Sequence, residues 1–314
     1  MHLPKSKFMR VILGIVTFVV LAGVALVGFA FLPEDIQTTL MPPQKHPTPA
    51  EYVSLGDSYT AAPKLATQIA VTTPSTCYQS NSNYPHIVEK AIKPSSFVDM
   101  SCSGAFVKDL TKPQFTPKGS NAAQAEALGA RTKLVTIGLS GNDAKILTLF
   151  FECAGTPHDE SKPSNCVEKF KSGGKDGFLD AVHATQPLIE GMLTTVETRA
   201  PNAQVFVVGY PQITPNDGTD CPDEMNFTAA DMTYLDTALR ELNAQLKDAA
   251  KRHGMTYVDT YTPSKGFNVC APRDRRWIES VVPTEPTFAM HPNPVGEMGM
   301  AEAVIKSLNR NYKP

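Results

Sequence analysis

The 314-residue chain contains no His-Glu-x-x-His, no Cys-x-x-Cys, no Walker phosphate loop and no dinucleotide fingerprint. Each of those motifs sets ligands or glycines at a spacing that a metal or a phosphate requires, and the seven histidines are too scattered to replace them. No metal and no cofactor are expected. Excess positive charge is missing as well, with 29 Lys and Arg against 31 Asp and Glu, a formal net charge of −2. Setting aside Lys5, Lys7 and Arg10 leaves 26 against 31, a charge of −5, which offers nothing to the phosphates of a nucleic acid.

Charge is absent altogether from Val11 to Leu32, a run of 22 residues that follows ten residues without an acid. As a helix it would extend roughly 33 Å, enough to cross a bilayer, whereas the apolar part of a cleaved signal usually has only ~7–15 residues. Gly28 and Ala30 still provide small residues for a peptidase. Residues 1–32 are therefore read as an export segment, with an uncleaved anchor favoured over release. Five prolines between Pro33 and Ala50 make residues 33–50 an extended linker. Residues 51–314 are read as one domain, since no second linker interrupts them. The expected location is extracytoplasmic, membrane-anchored or secreted.

The six cysteines, Cys77, Cys102, Cys153, Cys166, Cys221 and Cys270, are an even number in a chain that carries an export segment. They argue for disulfides rather than metal or redox chemistry. Fifteen pairings are possible, and spacing alone does not choose among them.

Short runs rich in Val, Tyr, Phe or Ile predict strands near 52–55, 96–100, 133–138, 204–209 and 255–259. Helical patterns lie between them. The clearest runs from Thr228 to His253, with Leu235, Leu239, Leu242 and Leu246 on one face, a threonine at its start and Gly254 at its end. Strands alternating with helices predict an α/β fold, a five-stranded parallel sheet covered on both sides.

Three of these strands end in residues with chemical potential. Tyr52-Val53-Ser54-Leu55 runs into Gly56-Asp57-Ser58, a tight turn that sets a serine hydroxyl at a strand exit beside backbone N–H groups. Taken alone, the tripeptide is a strand-exit turn whose Asp57 and Ser58 cap the next helix. The following blocks shift the balance: Ser101-Cys102-Ser103-Gly104-Ala105, then Gly138-Leu139-Ser140-Gly141-Asn142-Asp143, then His291-Pro292-Asn293 before the last helix. Strand exits are where open α/β sheets gather ligands, and a histidine titrates where it can take and return a serine proton. The other histidines, His2, His46, His86, His158, His183 and His253, lack such a context. Ser140 is not a nucleophile elbow, because Asn142 stands where that motif needs its second glycine.

The four blocks in this order resemble the SGNH or GDSL hydrolase family, most closely its secreted actinobacterial esterases and lipases, over roughly residues 50 to 310. The resemblance implies a three-layer α/β/α sandwich of flavodoxin-like type and a serine ester hydrolase working through an acyl-enzyme. It makes Ser58 the nucleophile, His291 the general base, and Ser58 N–H, Gly104 N–H and the Asn142 amide the oxyanion donors. It also implies sequential disulfides, Cys77 with Cys102, Cys153 with Cys166 and Cys221 with Cys270. The chain departs from the family pattern in having Phe288, not aspartate, three residues before His291. The Phe288 carbonyl is expected to orient the imidazole, with Glu285 as the competing partner. The expected substrate is an acyl ester, of a lipid or an acylated glycan, and the protein a monomer. Two rival readings are a carbohydrate O-deacetylase or acyltransferase, and a catalytically idle wall-binding protein. The stretch from Phe151 to Gly177 is either a rim of the cleft or an insertion.

Overall fold

The computed structural model describes residues 48–65, 77–116, 119–154, 165–225 and 227–312, with residues 33, 36 and 37 in addition. Five strands form a parallel sheet: β1 Tyr52–Gly56, β2 Phe97–Asp99, β3 Leu134–Gly138, β4 Gln204–Val208 and β5 Thr256–Val258. Each coincides with a strand predicted from its apolar run, to within two residues at either end. α-Helices connect or flank them: α1 Ser58–Ala61, α2 Tyr84–Ile92, α3 Ile146–Ala154, α4 Asn165–Phe170, α5 Gly177–His183, α6 Gln186–Arg199, α7 Ala229–Arg252, α8 Tyr261–Ser264 and α9 Pro294–Asn311.

Alternation along the strands separates two apolar layers. Val53, Leu55, Val135, Ile137 and Val207 belong to one buried cluster with Val182 of α5, Met192 of α6 and Leu235, Leu239, Leu242 and Leu246 of α7. Tyr52, Leu134, Phe206 and Val208 belong to the other, with Tyr84 and Val88 of α2 and Met300, Val304 and Leu308 of α9. The result is a three-layer α/β/α sandwich. Each fully buried aliphatic or aromatic side chain contributes roughly 1.5–3 kcal/mol, so both faces of the sheet are firmly held.

The long helix α7 begins with Thr228 as its N-cap, whose hydroxyl accepts from Asp231 N–H while the Asp231 carboxylate accepts from Thr228 N–H. At its other end His253 sits between Glu190 and Glu197, at 2.9 and 3.0 Å.

The strand order is β2-β1-β3-β4-β5. The chain therefore leaves β1 toward one side and returns through β3 on the other, which opens a crevice at the carboxyl ends of β1 and β3. Gly56 closes β1 where nothing larger fits: an added Cβ would stand 2.2 Å from Thr60 Oγ1 and 2.8 Å from the Gly138 carbonyl.

Three disulfides are present, Cys77–Cys102, Cys153–Cys166 and Cys221–Cys270, and no cysteine is free. Within the stretch from Phe151 to Gly177, the end of α3, the helix α4 and a small hairpin of Lys171–Ser172 with Lys175–Asp176 are described. No helix among the described residues is long and apolar enough to cross a membrane. The expected export segment, residues 1–32, lies outside the described residues, as does most of the expected linker 33–50.

Candidate active site

Asp57 caps α1, its Oδ1 accepting from Tyr59 N–H at 2.9 Å, and this turn places Ser58 at the first helical position beyond β1. Ser58 Oγ lies 2.7 Å from His291 Nε2, across 233 residues of sequence. The loop carrying His291 is held from below. Asn293 caps α9 by accepting from Val295 and Gly296 N–H, both at 3.0 Å, and donates through Nδ2 to the Arg276 carbonyl and to Glu279 Oε1, each at 2.9 Å. The main chain of Glu279 pairs with Met290 and His291, Glu279 N–H donating to the His291 carbonyl at 3.0 Å.

The other ring nitrogen of His291, Nδ1, lies 2.8 Å from the carbonyl oxygen of Ala289. This corrects the expectation for Phe288. The Phe288 carbonyl instead accepts His291 N–H at 3.2 Å, closing a turn in which Met290 takes φ +62°. That turn brings the Ala289 carbonyl, one residue later, to face the ring. Phe288 still touches the histidine, but by its side chain, an edge contact with ring centroids 5.8 Å apart. Glu285 is exposed and does not reach the ring. A carbonyl acceptor assigns the proton to Nδ1 and leaves the Nε2 lone pair toward Ser58. Burial holds the His291 pKa down at about 4, with the Ala289 bond opposing, so the imidazole is neutral at ordinary pH.

Asn142 follows β3 and lines a narrow cleft with Ser58, Asp57 and Tyr59, and the apolar side chains of Ile146, Leu147 and Ile213 stand beside them. Asn142 Nδ2 donates to the Ala105 carbonyl at 2.9 Å, which leaves its second amide hydrogen uncommitted. Gly104 is the residue before Ala105, in a left-handed turn at φ +78°, and is not among the cleft-lining residues. The structure thus brings Ser58, His291 and Asn142 together, and ties the Gly104 turn to them through Ala105. Ser140, at φ +115° with its buried hydroxyl unpartnered, belongs to the loop that presents Asn142.

Several supporting residues are not marked in the sequence. Gln124 pairs with both polar groups of Gly56, its Oε1 accepting from Gly56 N–H and its Nε2 donating to the Gly56 carbonyl, both at 2.9 Å. Tyr59 O–H donates to the Met290 carbonyl at 2.5 Å. Tyr210 O–H donates to Asp57 Oδ2 at 2.6 Å. Burial raises the Asp57 pKa to about 6, although the bonds from Tyr210 and Tyr59 work the other way. Only Tyr210 carried a usable signal, its position just past a predicted strand end. No group of His, Cys, Asp and Glu side chains among the described residues is placed to hold a metal ion.

Comparison with known proteins agrees with this geometry. The GDSL-like Lipase/Acylhydrolase family matches residues 54–297. The chain is 32% identical to Lipase 2 of Streptomyces coelicolor over 312 residues, covering 98% of this chain and 99% of that one. It is 29% identical to an esterase of Streptomyces scabiei over 72% of this chain and 74% of the other. The crystal structure of phospholipase A1 from Streptomyces albidoflavus superposes with a TM-score of 0.66 at 26% identity, over 84% of this chain and 99% of that one. The chain belongs to the GDSL-like lipase/acylhydrolase family and is a carboxylic ester hydrolase.

Proposed function

We propose that Ser58 is the nucleophile and His291 the general base of an acyl-enzyme reaction on this site. The observation that carries the reading is the 2.7 Å contact between Ser58 Oγ and His291 Nε2, with Nδ1 held by a carbonyl. Ser58 Oγ attacks the ester carbonyl carbon while its proton passes to His291 Nε2. The former carbonyl oxygen becomes an oxyanion, for which Ser58 N–H, Gly104 N–H and the uncommitted Asn142 amide hydrogen are the donors. Such donors are each worth ~2.7–4 kcal/mol of barrier. Collapse breaks the ester C–O bond, and the leaving alkoxide takes the proton back from imidazolium. Water then repeats the sequence on the acyl-serine, its proton going to His291 and then to Ser58 Oγ as the acid leaves.

The apolar side chains of Ile146, Leu147 and Ile213 beside Ser58 suit the acyl group of an ester. Three disulfides and the uncharged run Val11 to Leu32 support an extracytoplasmic enzyme, with residues 1–32 as the export segment and 33–50 as the linker. A fluorophosphonate probe tests the nucleophile: the protein is labelled and Ser58→Ala is not. Full labelling of the alanine variant sinks the assignment.

A further inference from the structure

Tyr210 is the second residue beyond β4, buried, with its ring against Tyr59 edge-to-face at 5.4 Å between centroids. Its backbone is clamped by one side chain of α7: Tyr210 N–H donates to Asn243 Oδ1 and Asn243 Nδ2 donates to the Tyr210 carbonyl, both at 2.8 Å. The hydroxyl carried by this fixed backbone makes two bonds. It accepts Gly141 N–H at 2.8 Å and donates to Asp57 Oδ2 at 2.6 Å.

We infer that Tyr210 is a positioning residue that couples the Asp57–Ser58 turn to the Gly141–Asn142 loop, so that nucleophile and oxyanion donor are held as one unit. Asp57 and Gly141 each stand one residue before a group that reacts, Ser58 and Asn142. The neighbouring tyrosine extends the pattern, since Tyr59 O–H holds the Met290 carbonyl, one residue before His291. Three strand-exit loops and the histidine loop thus meet on two tyrosines packed edge-to-face. The Tyr210–Asp57 and Tyr59–Met290 bonds are buried, where a hydrogen bond is stronger and its loss costs more.

The bonds are directional. Because the Tyr210 oxygen receives Gly141 N–H, its own hydrogen must go to Asp57, and this needs an Asp57 oxygen that carries no proton. The titratable groups facing Asp57 are Tyr210, Tyr59 and Asp143, and Asp143 pushes its pKa up along with burial. Protonation of Asp57 near pH 6 therefore gives Oδ2 a hydrogen of its own and opposes the Tyr210 bond. The coupling predicts an acid limb in kcat/KM near pH 6, well above the value of about 4 held by His291.

This inference rests on the roles given above to Ser58, His291 and Asn142. It is tested with Tyr210→Phe, which keeps the ring and deletes the hydroxyl, with Asp57→Asn, and with the double variant, assayed on a short nitrophenyl ester across pH. Expected are a fall in kcat of about tenfold or more with KM within about threefold, since misplacement of reacting groups acts on the transition state. The limb near pH 6 disappears in both single variants, and the double variant is no worse than the poorer single. A Tyr210→Phe enzyme with kcat within about twofold of the parent, or one that keeps the limb and adds its loss to that of Asp57→Asn, overturns the coupling. If Tyr210→Phe does not fold, Asp57→Asn decides by the same two readouts. Ser58→Ala separates the two levels: retained probe labelling there removes the serine reading itself, whereas lost labelling beside a fully active Tyr210→Phe removes only the coupling.

Discussion

His291 Nδ1 faces the carbonyl oxygen of Ala289 at 2.8 Å, an acceptor only two residues away in the same loop. A main-chain oxygen orients the imidazole and selects its tautomer. It stabilises imidazolium less than a carboxylate does, and the remaining stabilisation falls to the oxyanion donors.

With the acceptor supplied by the backbone, no acidic side chain is needed at Nδ1. Glu285→Gln therefore lowers kcat less than about tenfold, against near-complete loss for His291→Ala, where removing a triad acid elsewhere costs about 10⁴. A folded Glu285→Gln enzyme that lost turnover on that scale would mean that the loop rearranges to a triad.

Buried Arg276 and Glu279 hold the same loop from beneath, with Asn293 and Thr284 N–H also donating to Glu279. Burial works to raise the Glu279 pKa, but the bonds from Arg276 and Asn293 outweigh it and bring the value down to about 2. A carboxylate with a depressed folded pKa contributes stability above its unfolded value of about 4.5, and that contribution is lost as pH falls toward 2. Urea unfolding of Glu279→Gln at pH 7 should show a loss of about 3 kcal/mol, at the low end for a broken buried pair because Glu224 still meets Arg276. This group's acid dependence between 4.5 and 2 should vanish with it.

Gln124 satisfies the main chain of Gly56 immediately before the serine turn. Gln124→Ala leaves a buried N–H without an acceptor and costs about 1–3 kcal/mol in unfolding free energy. The Gly56 carbonyl still accepts from Cys102 N–H at 3.0 Å, so the fold survives and the measurement is interpretable. A variant as stable as the parent would show that the bidentate contact is incidental.

Ile213 is fully buried beside Ser58. Shortening it with Ile213→Ala should keep kcat/KM on nitrophenyl acetate within about threefold and raise the ratio of hexanoate to acetate turnover by about threefold or more, a few methylenes of new room. An unchanged ratio would place the acyl chain elsewhere.

The sequence by itself determined the sheet, because strand placement follows from local composition. Runs such as Leu134–Gly138 and Gln204–Val208 are apolar on both faces, and only a doubly covered parallel sheet uses them. It also marked Ser58, Gly104, Asn142 and His291 as members of ordered blocks at strand exits and before the last helix. What holds these residues was decided by the tertiary structure. Ala289 in place of Phe288 depends on a turn closed by a hydrogen bond and a left-handed Met290, which no residue type in the loop announces. Gln124 stands 68 residues from Gly56, and Tyr210 stands 153 residues from Asp57. Contacts of that kind arise from the packing of one strand exit against another. Local propensity has no term for them, because each side chain alone reads as an ordinary loop or helix residue.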